Sequence, residues 1–145
     1  MYQFKLEPLL NHRRYQEEIL QKELADLKKR LQAEQHQLRN LRTKKRRNVQ
    51  LLTARQRKSR PASELKLYVD YIDHLTVELT VQAERVMEAQ RRFDAKRREL
   101  MAAMKKRKVL EKLKEKGQRA YEQTQLKKER ALLDDVAGHQ YVLKT

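Results

Sequence analysis

At 145 residues, with two glycines, two prolines, 39% hydrophobic and 39% charged residues, the chain has too little apolar content and too few turn formers to wrap a globular core. Leu, Glu, Lys, Arg, Gln and Ala dominate. These residues lose little side-chain freedom in a helix, so helix is favoured almost throughout. The absence of cysteine excludes disulfides, thiolate metal sites and a thiol nucleophile.

The opening MYQFKLEPLL lacks a basic stretch followed by an apolar run, and no apolar run approaches the roughly 18 residues that a membrane span needs. The expectation is a cytosolic chain without a cleavable signal or a transmembrane span. The formal charge of +16 calls for an acidic partner, whether nucleic acid, an anionic membrane face or an acidic protein surface. Its sign alternates along the chain: residues 35–63 hold ten Lys/Arg and no Asp/Glu, whereas 64–90 hold six Asp/Glu and two Lys/Arg.

The first predicted element is a helix over about 8–57, with Pro8 in a first turn that tolerates it. Its apolar seam reads Leu10, Leu20, Leu24, Leu27, Leu31, Leu38, Leu41 and Leu52. The seven-residue recurrence is that of a coiled coil. A turn over about 58–63 follows, because Pro61 lacks an amide proton and disfavours helical geometry at Arg60. Ser63 is the expected cap of the second helix, and Glu64 suits the positive end of its dipole.

The second helix is expected over about 64–137. Leu65, Ile72, Leu79, Val86, Phe93 and Leu100 fall on one heptad position, with Tyr68, Leu75, Ala89 and Ala103 half a heptad on. Gly138 is read as a left-handed C-cap, leaving a tail over 138–145. Two facing seams predict an all-α antiparallel coiled-coil hairpin forming a single rod over 1–145. A tight turn pairs residues whose numbers sum to about 120: Leu52 with Tyr68, Leu41 with Leu79, Leu27 with Phe93, Leu20 with Leu100 and Leu10 with Leu110. The same register lays the basic stretch 39–57 beside the acidic stretch 64–81, a complementarity expected to favour this pairing.

Glu17, Glu34, Lys45 and Asn48 interrupt the first seam, and Gln82, Lys96, Arg107 and Lys114 the second. Such layers weaken a coiled coil and can specify its register. Helix one ends opposite about residue 113, so 114–137 is expected to project alone, spanning about 35 Å of a second helix about 110 Å long. A helix of that length in isolation is marginal, which predicts that it docks on something.

No catalytic constellation is present. His12, His36, His74 and His139 lack metal-ligand spacing, and no phosphate loop or nucleophile elbow occurs. Acid pairs such as Glu17-Glu18 and Asp134-Asp135 read as solvated charges, because a two-helix fold offers no pocket to desolvate them. The expectation is a protein that is not an enzyme and has no cofactor or metal. The basic runs Arg42, Lys44 to Arg47 and Lys105 to Lys108 read first as solvated helix faces, since no aromatic residues interleave with them. Tyr71 lies one position before the seam and is equally a packing or a contact residue.

The opening Phe4-Lys5-Leu6-Glu7-Pro8-Leu9-Leu10 with Arg13-Arg14 and Glu17-Glu18, the block Tyr68 to Gln82, and the end from Leu110 through Tyr121 to Leu133-Asp134-Asp135-Val136-Ala137 together resemble the FliJ family of flagellar export proteins. The resemblance covers essentially the full length in order. It implies a non-enzymatic stalk, similar to the central shaft of rotary ATPases, linking a hexameric FliI-like export ATPase to an FlhA-like export gate at the cytoplasmic face of the membrane. Export chaperones are further implied partners. The helical ends would enter the ATPase ring, with Leu6, Leu10, Leu113, Tyr121 and Leu132 as ring contacts. The hairpin end would meet the gate through Gln37, Leu41, Tyr71 and Leu75, although simple seam packing is the weightier reading for Leu41 and Leu75. Lys44 and Asn48 stand where some members carry tyrosines, and Glu78 and Gln82 also depart from the family pattern. Two alternatives remain open: a YscO-like stalk of a virulence secretion system, and a basic scaffolding or nucleic-acid-binding coiled coil.

Overall fold

The computed structural model describes residues 1–144, which form two helices, α1 (Glu7–Arg57) and α2 (Ala62–Lys144). The fold is an all-α helical hairpin, with no strand among the described residues. At the start of α1 the Leu6 carbonyl accepts the Leu10 amide at 2.9 Å, and Pro8 sits in the first turn, where its missing N–H costs nothing.

The turn falls where the proline placed it, with local chemistry that differs from expectation. After Arg57 the Lys58 amide donates to the Arg55 carbonyl at 3.1 Å, and Ser59 takes a φ of 52°. A left-handed serine costs about 1 kcal/mol relative to the right-handed region, and the packed helices on either side hold it there. The second helix then begins earlier than Ser63. The Pro61 carbonyl accepts the amides of Glu64 at 3.1 Å and Leu65 at 3.2 Å, so Pro61 stands at the helix threshold and Ser63 lies inside the first turn. Proline's fixed φ suits that position.

The expected stop at Gly138 is also corrected. Helix α2 runs through Gly138 to Lys144, no glycine has a positive φ, and no tail follows within the described residues; Thr145 of the expected tail lies outside them. Glycine permits a left-handed cap without requiring one, and its penalty of about 1 kcal/mol in a helix is small beside the propensity of its neighbours.

The chain divides into two compact units: Ile19–Leu100, which contains the turn, and Met1–Glu18 with the chain from Met101 onward. In the turn-containing unit the seam positions alternate at steps of three and four. Leu31, Leu41, Leu75 and Ala89 are buried, and Leu24, Leu27, Leu38, Leu52, Tyr68, Ile72, Val86 and Phe93 are half-buried. Burying a leucine fully contributes about 1.5–3 kcal/mol, so a ladder of such layers dominates cohesion in a fold this thin. The cross-helix polar contacts are Arg55 to Glu64 at 2.7 Å, Lys96 to Glu23 at 2.8 Å and Gln82 to the Glu34 carbonyl at 2.9 Å. Their residue numbers sum to 116–119, as the sequence register requires.

The terminal unit is built on Leu10, which has no exposed surface, and Leu110 at 8%. Arg107 to Glu17, Arg14 to Glu111 and Lys114 to Glu7 cross between its helices, again close to the expected register. Most polar seam residues are thus partnered across the interface. Asn48 instead donates from its amide to the Lys44 carbonyl on its own helix at 2.8 Å.

The expected attraction between the basic and acidic stretches is realised only by Arg55–Glu64. Asp70 and Asp73 form no ion pair, and Glu78 pairs with His74 on its own helix at 2.7 Å. Most of the basic residues of 39–57 occupy exposed positions off the seam, where solvent screens them from α2.

Candidate interaction surfaces

In the terminal unit, two features shape the surface available to a partner. One is a charged cluster over the buried leucines. Arg107 donates to Glu17, itself 7% exposed, and also to Glu111 at 2.8 Å, while Arg14 lies 3.5 Å from Glu111. The hydrogen bonds from Arg107 hold the Glu111 carboxyl below the usual range, with Arg14 assisting against a desolvation penalty. The same pairing holds the Arg107 guanidinium above its ordinary value.

The other is the segment before α1, which lies along α2. The Met1 amine donates to the Tyr121 hydroxyl at 2.9 Å, and the Tyr2 and Tyr121 rings stand 5.8 Å apart at 41°. This amine holds the Tyr121 phenol below its ordinary range. Directly beneath Tyr2 is Gly117: a Cβ there would come within 1.9 Å of the Tyr2 hydroxyl. The interior helical glycine makes room for a neighbouring ring. A glycine inside a helical pattern was the available signal for this contact, and sequence reasoning passed over it.

Beyond Gln125 every described residue of α2 is exposed. At 100° per residue, Leu126, Leu132, Leu133, Val136 and Leu143 share one side of the helix, a stripe with exposures from 46% to 73%. Among the residues expected to contact a ring, Leu6, Leu113 and Leu132 are exposed and Tyr121 is half-buried under Met1 and Tyr2. Leu10 is completely buried, so its role is cohesion of the unit.

In the turn-containing unit, Leu41 and Leu75 are 5% and 2% exposed and pack in the seam. Gln37 and Tyr71 are exposed. Each borders a groove between the helices. Gln37 lines one of about 320 Å³ with Val77, Glu78, Val81 and Gln82. Tyr71 lines another of about 330 Å³ with Asn48, Leu67 and Tyr68, where the Arg55 guanidinium sits 5.7 Å from the Tyr68 ring centre. Leu67 and Val77, exposed at 71% and 64%, add apolar surface that the heptad reading did not single out, because both lie off the seam. No group of side chains suited to a metal ion occurs among the described residues, and no described helix is long and apolar enough to cross a membrane.

A family model described as Flagellar FliJ protein matches residues 2–145. The chain belongs to the FliJ family. Membership makes it a component of the flagellar export apparatus, in a family that is non-catalytic there. Searches of curated proteins and of solved structures found no match. Asn48, Glu78 and Gln82 all line the two grooves. Gln82 is committed to Glu34, whose backbone carbonyl and carboxylate both accept from its amide.

Proposed function

We propose that this FliJ-family chain is a non-enzymatic stalk that links a hexameric FliI-like export ATPase to the cytoplasmic domain of an FlhA-like export gate, working at the cytoplasmic face of the membrane. The supporting observation is the end of α2. Residues 126–144 remain helical and carry an exposed apolar stripe through Leu126, Leu132, Leu133, Val136 and Leu143. An uncovered helical stripe of this kind is what helix-in-groove recognition uses. Leu132 on that stripe, with Leu113, Leu6 and Tyr121, is the ring-contact set. Gln37 and Tyr71, beside the grooves of the turn-containing unit, are the gate-contact set. Export chaperones are additional partners for the same exposed apolar surface.

A stalk inserted in a ring of equivalent subunits touches them unequally and so biases their nucleotide-dependent states, provided its affinity differs between those states. ATP hydrolysis by the purified ring, measured with full-length chain and with a chain ending at Gln125, tests this. Stimulation by the full chain and its loss on truncation are expected; equal stimulation by both would remove the α2 end as the working part. A YscO-like role in a virulence apparatus shares the architecture, but the full-length match to the flagellar family favours the flagellar reading.

A further inference from the structure

The basic segment of α1 is left over once the fold and the stalk reading are accounted for. Arg39, Arg42, Lys44, Arg46 and Arg47 are all exposed, and none has a side-chain partner. Arg57, Lys58 and Arg60 continue the same charge to the turn, also exposed and unpaired. Apolar side chains stand among them. Val49, 42% exposed, falls beside Arg42 and Arg46 on the helix surface, on the side that also carries Arg39 and Arg57, whereas Leu51, 47% exposed, lies with Lys44 and Arg47 on the other flank. Asp70 and Asp73 of the same unit occupy exposed positions of α2 and pair with none of these.

We propose that the face of α1 carrying Arg39, Arg42, Arg46, Val49 and Arg57 docks on an anionic lipid bilayer surface. Long basic side chains reach headgroup phosphates while their stems and the neighbouring Val49 meet the acyl boundary. These five positions share about 100° of the helix surface over about 27 Å of its length, so a flat surface can meet them together. A duplex groove curves away from a straight helix after a few residues. Single-stranded nucleic acid is bound on aromatic platforms, and residues 35–63 contain no Phe, Tyr or Trp. The lipid contact does not depend on the stalk reading, and its test contains no export component.

Sedimentation with vesicles of phosphatidylcholine alone, and of phosphatidylcholine with phosphatidylglycerol, tests the proposal on the full chain. Binding only to the anionic vesicles is expected. Each basic residue at an anionic surface is worth roughly a fivefold change in partitioning. The variant Arg39→Gln/Arg42→Gln/Arg46→Gln/Arg57→Gln should therefore bind weaker by about two to three orders of magnitude. A control removing equal charge elsewhere, Lys105→Gln/Lys106→Gln/Lys108→Gln/Lys112→Gln, should bind as the parent does. If circular dichroism shows the first variant to be unfolded, Arg39→Gln/Arg46→Gln replaces it, with a loss of about 25-fold expected. Equal binding to both vesicle types, equal weakening by the control, or tighter binding to a DNA duplex than to anionic vesicles at physiological salt would each overturn the proposal.

Discussion

Glu17 and Arg107 occupy facing seam positions and are joined by a hydrogen bond from the arginine, so a charged pair stands where a coiled coil ordinarily places two apolar side chains. Arg107 has a second partner in Glu111, whereas Glu17, at 7% exposure, has no other. The two ends of the pair are therefore unequal. Replacing Arg107 by Leu strands a buried carboxylate and should lower stability by about 2 kcal/mol. Replacing both, Glu17→Leu/Arg107→Leu, should recover that loss or exceed the parent, because the layer becomes apolar. Thermal melts of the two single variants and the double give the coupling; a double variant less stable than Arg107→Leu would contradict this account.

The same cluster sets an acid limit. Glu111 has its carboxyl pKa held down by Arg107, so it binds its proton less readily folded than unfolded. A depressed folded pKa gives stability that is complete above the ordinary carboxylate range and is lost as pH falls through the lower, folded value. Melting temperature should fall on acidification, and Glu111→Gln should flatten that fall while lowering stability near neutrality. A Glu111→Gln profile parallel to the parent's throughout the acid range would rule the contribution out.

Gly117 and Tyr2 should be coupled. Gly117→Ala alone gains helix propensity of about 1 kcal/mol but drives a Cβ into the Tyr2 ring, so the gain should be largely cancelled. In a Tyr2→Ala background the same substitution should stabilise by about 1 kcal/mol. A double-mutant cycle by chemical denaturation reads the difference directly, and additive effects would mean the ring does not rest on this glycine.

Leu75 and Tyr71 are four residues apart and should separate packing from recognition. Leu75→Ala empties a fully buried layer and should cost about 2–4 kcal/mol. Tyr71→Ala removes an exposed ring, 43% accessible, and should change stability by less than about 0.5 kcal/mol while weakening capture of the purified gate domain. Gate binding unaffected by Tyr71→Ala would take this residue out of the contact set.

The layers of the hairpin were readable because a seven-residue repeat depends only on residue type and spacing. Leu31, Leu41, Leu75 and Ala89 all fall on the repeat and all are buried, and the register follows from where Pro61 stands. Less visible was what the polar seam residues do. Glu17 and Glu34 read as interruptions, yet each finds a partner one helical turn from its register position, in Arg107 and Gln82. Charge was overread in the other direction: facing stretches of opposite sign yielded one ion pair, because net charge along a segment says nothing about which side of the helix carries it. The helix end at Gly138 and the cap at Ser63 failed for a shared reason. Both residues permit a boundary, and the hydrogen-bonding of their neighbours decided whether one formed. The exposed candidates were harder still, since Leu67 and Val77 lie outside the repeat and nothing in their spacing separates a contact from a bare surface.

The stretch of α2 beyond Gln125 is not a helix that must start by itself. It elongates from a segment whose turns are already fixed by packing, so the unfavourable first turn has been formed before these residues are reached. A partner closing over Leu126, Leu132 and Val136 would meet a shape largely in place and would forfeit little chain entropy on association, whereas the same nineteen or so residues cut free as a peptide would have to order on contact and bind more weakly.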